Sequence, residues 1–353
     1  MANRIELLIQ EYKNPVNVRK FIDRKNHSYS VGRTLRQLKK VSGVLPSIDY
    51  ELPEDTDPLV AAKACFELNG IYPISFSSPR ARLFDSINKD SVLSSIIPGK
   101  PYKYHEEMEY RKEYERAYWG ITHKKGGWDC MRHLEILSSS CLPLMYDAKK
   151  IPKWTMNYYP KNSMRFLNDK FLEKPFIPGE ATRTYFEAWF DTWLTPEAMV
   201  NNMFKLIGNK SKLKKILFID DSLHSQIDYL SILTLVGLTR VAGVNLDIWE
   251  YYPEYLSENY SGKTGELYGR GFSFSKSISK KPHVISKSEV IPHEYDYVVI
   301  GGALQNKDSL SKYIKLFSGK RVILLLGNDQ SSDKQTQEWL RNIGANVFQR
   351  EII

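Results

Sequence analysis

Residues 124–135 read Lys124-Lys125-Gly126-Gly127-Trp128-Asp129-Cys130-Met131-Arg132-His133-Leu134-Glu135. These residue types can handle a diphosphate and the diol beside it. Glycines let backbone N–H groups approach phosphate oxygens, and a helix N-terminus favours negative charge. Arginine is a permanent cation with several donors. A carboxylate only accepts hydrogen bonds, which suits two neighbouring hydroxyls. The string lies between two apolar segments, 118–122 and 141–146. That spells strand, Gly-rich turn, helix, strand, the layout of a nucleotide-diphosphate site in an α/β sheet. On a wheel of 100° per residue, Cys130, Leu134, Leu137 and Cys141 fall on one side, and Trp128, Arg132 and Glu135 on the other. The first set is expected to pack on a sheet and the second to face a ligand. Spacing alone leaves a plainer alternative. Gly-Gly is common between a strand and a helix, and Arg and Glu at i, i+3 often form only a solvated ion pair worth roughly 0.2–0.5 kcal/mol.

Over about residues 73–164, including Pro73-Ile74-Ser75-Phe76-Ser77-Ser78-Pro79, the chain resembles the donor-sugar region of GT-B glycosyltransferases, in particular the exostosin-like group. The matching residues are Lys125, Gly126, Gly127, Arg132, Glu135 and Cys141-Leu142-Pro143. The chain has Ser140 where glycine is frequent in the group, and Leu134 where an aromatic is frequent. The resemblance implies a donor site made of Lys124, Lys125, Gly126, Gly127, Trp128, Arg132 and Glu135. The loop and Arg132 would hold the diphosphate, and Glu135 would accept from the ribose hydroxyls. It further implies a GT-B-like α/β fold, with two Rossmann-like domains facing a cleft.

The elements that must position this site follow from apolar periodicity. Residues 5–10 and 72–77 are strand candidates. Residues 18–41 are helical in part, 59–68 are helical, 92–103 are a Pro/Gly turn region, and 106–117 form a charged helix with a tyrosine stripe. Residues 151–161 read as a Pro-anchored loop. Residues 181–207 read as one or two helices broken near Thr195-Pro196. From residue 215 the pattern changes. Apolar strands at 216–219, 297–300 and 321–326 end in Gly or Asp and alternate with helices, the mark of a parallel sheet covered on both faces. The Ser/Lys-rich stretch 273–288 reads as a mobile loop. Two domains follow, 1–210 carrying the donor motif (its first ~50 residues unassigned) and 211–353 on the acceptor side. The donor half coming first implies a permuted order.

Composition sets the outer limits. The chain has 353 residues, 42% hydrophobic and 26% charged, as an ordinary globular protein has. Its net charge of +9 raises nucleic acid or an anionic surface as partners, but the basic residues are scattered. Three cysteines without zinc spacing point to reduced thiols and a cytoplasmic setting. No apolar run reaches the roughly 18 residues of a membrane span, and residues 1–6 lack a signal-peptide core.

The functional expectation is metal-independent transfer of a sugar from a nucleoside diphosphate, most simply a UDP-sugar such as UDP-glucose, to a glycan or other hydroxyl acceptor. A helix end and basic side chains would stabilise the leaving phosphate without a bound metal or other cofactor. A base for the acceptor hydroxyl would come from the facing half, at a strand C-terminus, where Asp220, Asp221 and His224 stand; Asp329 follows another strand. Two other classes stay open: another nucleotide-dependent α/β enzyme, and a non-catalytic protein that binds nucleic acid or glycan.

Overall fold

The computed structural model describes residues 45–80, 89–98, 103–208, 215–241, 245–304, 307–317 and 321–353. The strand expected at 5–10 and the helix expected within 18–41 lie outside them. After a short strand β1 (Ser47–Ile48), Asp57 starts helix α1 (Pro58–Asn69). Its carboxylate accepts from the N–H groups of Leu59 and Val60, Pro58 takes the first turn, and Gly70 at φ +68° ends the helix. Strand β2 (Tyr72–Pro73) follows. The next strands are β3 (Ser91–Leu93), β4 (Ala117–Thr122) and β5 (Leu142–Met145), which pair in that order as a parallel sheet. Helix α2 (Glu107–Glu115) precedes β4, and helix α3 (Met131–Leu137) carries the motif between β4 and β5.

One local reading needs correction. The region 92–103 begins within strand β3, which at three residues is too short to show a period. The loop read over 151–161 ends at Pro160, the N-cap of helix α4 (Lys161–Glu173), a segment to which the sequence pattern assigned no element. Strand β6 (Ile177–Pro178) pairs with β1. Helices α5 (Glu180–Trp193) and α6 (Pro196–Leu206) are split where expected, with the Thr195 hydroxyl accepting from the Ala198 N–H.

The second half forms a parallel sheet from β7 (Lys215–Ile219), β8 (Asn245–Trp249), β9 (His283–Ile285), β10 (Tyr297–Ile300), β11 (Val322–Leu326) and β12 (Asn346–Gln349). The spatial order β9-β8-β7-β10-β11-β12 is the 3-2-1-4-5-6 order of a Rossmann sheet. Alternate residues serve opposite faces. Ile216, Phe218, Val299, Ile323 and Leu325 belong to one core, and Leu217, Ile219, Val298, Ile300 and Leu324 to another. Both faces are covered, which is why these strands read as unbroken apolar runs. Helix α7 (Tyr229–Arg240) is buried from Leu230 to Leu238, between the sheet and α6. At Gly237 a side chain would strike the Pro196 carbonyl, so the two helices approach there as only glycine permits. Helices α8 (Lys307–Phe317) and α9 (Lys334–Asn342) flank β11.

The halves are joined rather than merely adjacent. Strand β2, from before residue 210, adds to the edge of the second half's sheet beside β12. One core runs from Trp119 and Leu142 to Ile216 and Phe348. The stretch expected as a mobile loop from residue 273 contains strand β9, and its start is packed down by buried Phe274 and Ile278. Those two apolar side chains, not the surrounding Ser and Lys, decide its conformation. Among the described residues no helix is long and apolar enough to cross a membrane.

Candidate functional site

A cavity of about 380 Å³ lies between the halves, within the size range of small-molecule sites. Lys125, Gly126, Gly127, Arg132 and Glu135 form its wall from the first half; Asp228, Tyr268 and Asp329 face them from the second. Thus five of the seven residues expected at a donor site share one cavity. Lys124 and Trp128 are not in the wall. They pair with each other instead, the Lys124 ammonium lying 5.4 Å from the Trp128 ring, and Trp128 belongs to the core.

Helix α3 aims the two key side chains. Its first turn, with Cys130 at the N-cap offering no side-chain cap, opens on the cavity. The wheel drawn over 128–141 overextends this helix, which has only seven residues. Cys130 therefore lines the cavity rather than packing on the sheet. His133 fixes the loop before the helix. Its ring bonds the Thr122 hydroxyl (2.9 Å) and the Trp128 carbonyl (2.8 Å), and burial pushes its pKa down, so it serves as a neutral strut.

Arg132 makes no hydrogen bond or salt bridge among the described residues, and its buried Nε–H has no partner. Leaving such a donor unmatched is costly unless a ligand meets it. Burial opposes the guanidinium charge, and the Glu135 carboxylate nearby favours the charged form. Glu135, 8% exposed, accepts from the Tyr110 hydroxyl (2.6 Å) and the Ser273 hydroxyl (3.0 Å). Arg111 donates to its backbone carbonyl and to the same Ser273. Glu135 is thus not a solvated surface residue: its position is set by both halves.

The two glycines have a reason beyond phosphate. A side chain at Gly126 would strike Asp329, and one at Gly127 would strike Glu351 and Arg350. The second half closes tightly on this loop. Arg350 is the centre of the closure: it is fully buried, donates to the carbonyls of Asp129 and Gly327, and pairs with Asp329 and Glu351. Its guanidinium also lies 4.2 Å from the Phe76 ring. Asp129, 1% exposed, accepts from the Phe76 N–H (2.7 Å) and the Tyr159 hydroxyl (2.9 Å). Glu351 accepts from the Asp129 N–H (2.9 Å).

Burial pushes the Glu351 carboxyl up to about 7, against the pull of Arg350 and the Asp129 N–H. An acid raised on folding binds a proton in the native state where the unfolded chain has lost it. Its contribution is present below the ordinary value of 4.5 and disappears as pH rises through about 7. Glu351→Gln keeps an acceptor for the Asp129 N–H and removes this slope. Urea melts between pH 5 and 8 should show the variant gaining on the native chain as pH rises, by on the order of 1 kcal/mol or more. Parallel pH curves would refute the assignment.

The strand order puts a switch point between β7 and β10, where a Rossmann ligand would normally sit. Here Asp220 occupies it. Its Oδ1 accepts from the N–H and hydroxyl of Ser222, and its Oδ2 from the Ser231 hydroxyl. A side chain at Gly301 would strike Asp220 and Ser231. Beside Asp220, between the ends of β7 and β10, Ile219, Asp221, Ile300 and Gly301 line a space of about 10 Å³, the threshold for a single water. Asp221 accepts from the Tyr313 hydroxyl, and His224 is exposed beside Tyr251. None of the three expected base residues lines the cavity beside Arg132 and Glu135.

Besides Glu135 and Asp329, the cavity wall holds the carboxylate of Asp228, at the N-cap of α7. Its Oδ1 accepts from the N–H groups of Leu230 and Ser231. Gly327 leaves it room, since a side chain there would meet both carboxylate oxygens. Burial, then the Asp220 charge behind it, raises its pKa to about 6. Sequence reasoning missed Asp228, Tyr268 and Arg350. Only the first left a local signal, an Asp just before an apolar helix, and that signal reads as a cap. Comparison with protein-family models, with curated proteins and with solved structures finds no match for this chain.

Proposed function

We propose that this chain is a glycosyltransferase that takes a sugar from a nucleoside diphosphate, a UDP-sugar such as UDP-glucose, and passes it to a hydroxyl of a glycan or other acceptor. The observation that carries this reading is Arg132: a cation with an unmatched buried N–H, in the wall of a ligand-sized cavity beside Glu135 and the Gly126-Gly127 turn. The acids around the cavity have partners. Glu135 is held by hydroxyls, Asp329 by Arg350, and Asp228 by backbone N–H groups. Arg132 is left to meet an anion.

In this reading Arg132 and Lys125 hold the diphosphate and Glu135 accepts from the ribose. Asp228, across the cavity, takes the proton of the acceptor hydroxyl as its oxygen bonds to the sugar's anomeric carbon. The bond from that carbon to the diphosphate breaks, and the electron pair leaves with the phosphate oxygen, toward Arg132 and Lys125. This is an inverting displacement with no metal assigned to a step. The arrangement is a GT-B variant in permuted order, with a reduced donor half facing a full Rossmann half.

Calorimetry with UDP tests the reading. Native protein should bind, and Arg132→Ala should lose the worth of a charged hydrogen bond, about 1.5–3 kcal/mol or roughly 10- to 150-fold in Kd, with melting unchanged. If no nucleoside diphosphate in a thermal-shift panel raises the melting temperature, the donor site is not there.

A further inference from the structure

Tyr268 has no role in the chemistry above, yet it is placed with unusual care. It is a large ring left 58% exposed, at the edge of the cavity that Arg132 and Glu135 line. It belongs to the segment between β8 and β9, which is anchored just beyond it. Phe272 and Phe274 are buried, the Ser273 N–H donates to Glu107 at 2.9 Å, and Arg270 bonds His105. Gly269, Arg270, Gly271 and Ser273 all have φ between +60° and +74°. For Arg270 and Ser273 this is a costly backbone state, which persists only where the surroundings enforce it and which clusters at ligand clamps.

The strain fixes where the ring stands. The Tyr229 ring lies 5.7 Å away, centroid to centroid, and the Lys125 ammonium is 5.6 Å from the ring centre and 3.5 Å from the hydroxyl. Lys125 comes from the first half, so the ring meets the donor loop across the cavity. Five residues on, Ser273 of the same segment donates to the carboxylate of Glu135. One short, pinned segment therefore sets both Glu135 and a half-exposed aromatic ring at the same cavity.

We infer that Tyr268 is the platform on which the base of a bound nucleoside diphosphate stacks, so that the half opposite the donor motif supplies the base-binding face. This rests on the donor-site reading. A base is attached directly to the ribose, so a ribose held at Glu135 carries its planar ring toward the segment that holds Glu135 in place. Every base has a π face, so the stack supplies affinity rather than choice of base. It also makes the nucleotide a bridge between the halves, with phosphates on Arg132 of the first and base on Tyr268 of the second.

The test is calorimetry with UDP and, separately, inorganic pyrophosphate, on native protein, Tyr268→Ala and Tyr268→Phe. The exposed ring carries little of the fold, so melting temperatures should coincide. UDP affinity should fall about 5- to 150-fold in Tyr268→Ala, the worth of one base–aromatic stack, and stay near native in Tyr268→Phe. Pyrophosphate, having no base, should bind all three alike. Equal losses for both ligands, or none for UDP, would overturn the inference and leave the phosphate site standing. Native protein that binds pyrophosphate as tightly as UDP would also overturn it. Native protein that binds neither would remove the donor site and the inference together.

Discussion

Arg350→Ala is expected to cost about 3–5 kcal/mol of stability, the loss typical when one partner of a buried ion pair is removed. The reason is what it leaves behind. Arg350 is fully buried and is the cation between Asp129, Glu351 and Asp329. Asp129 and Glu351 are each 1% exposed. Without the guanidinium both would have to ionise in a dry interface or stay protonated. Burial already raises both their pKa values while Arg350 pulls them down; removing it raises them further. The sign follows. At pH 8 the variant must either hold uncompensated charge or take up protons against the solution, so the loss is largest there. At pH 5 the acids are closer to neutral and the loss shrinks. Urea melts at both pH values, with Arg350→Met to keep some volume, would measure it. A deficit below about 1 kcal/mol and flat with pH would mean that the halves do not depend on this cation.

The sequence carried the second half's sheet well. Its strands are buried on both faces and so are nearly all apolar, and they end in Gly or Asp. Helix α6 announced itself through Thr195-Pro196, while the pattern assigned no element to the residues of α4. The donor string was legible because its residue types are unusual together, and five of its seven proposed contacts line one cavity. What stayed hidden depends on partners far along the chain. Nothing near Arg350 says that it will bond the carbonyl of Asp129, 221 residues away. Nothing near Tyr268 says that its neighbours will be pinned to α2 and α3. A glycine pair looks the same whether it makes room for a phosphate or for Asp329 and Glu351. Asp220 and Asp221 are at the expected strand end, but whether a carboxylate there meets a ligand or fills its own crevice depends on Ser222, Ser231 and Gly301.

Asp228→Asn should separate catalysis from folding. As a cap, Asp228 needs only an oxygen to accept from the Leu230 and Ser231 N–H groups, and asparagine supplies one as well as aspartate does. As a base it needs a carboxylate, which asparagine lacks. If Asp228 takes the acceptor's proton, the rate of sugar transfer should fall about 10²- to 10⁴-fold while UDP affinity stays put. Native activity should also decline as pH falls through about 6, where the raised carboxyl gains its proton, and the variant's residual rate should lack that limb. Stability must move the other way. The raised pKa gives Asp228 a contribution that is present below its ordinary 3.8 and lost as pH rises through about 6, so at neutral pH it burdens the fold. The variant should then melt no lower than native protein at pH 7, whereas Asp228→Ala, which also loses the cap, should fall about 1 kcal/mol below Asp228→Asn. An Asn variant that turns over like native protein, with the same acidic limb, would return Asp228 to being a helix cap and send the search for the base elsewhere in the cavity.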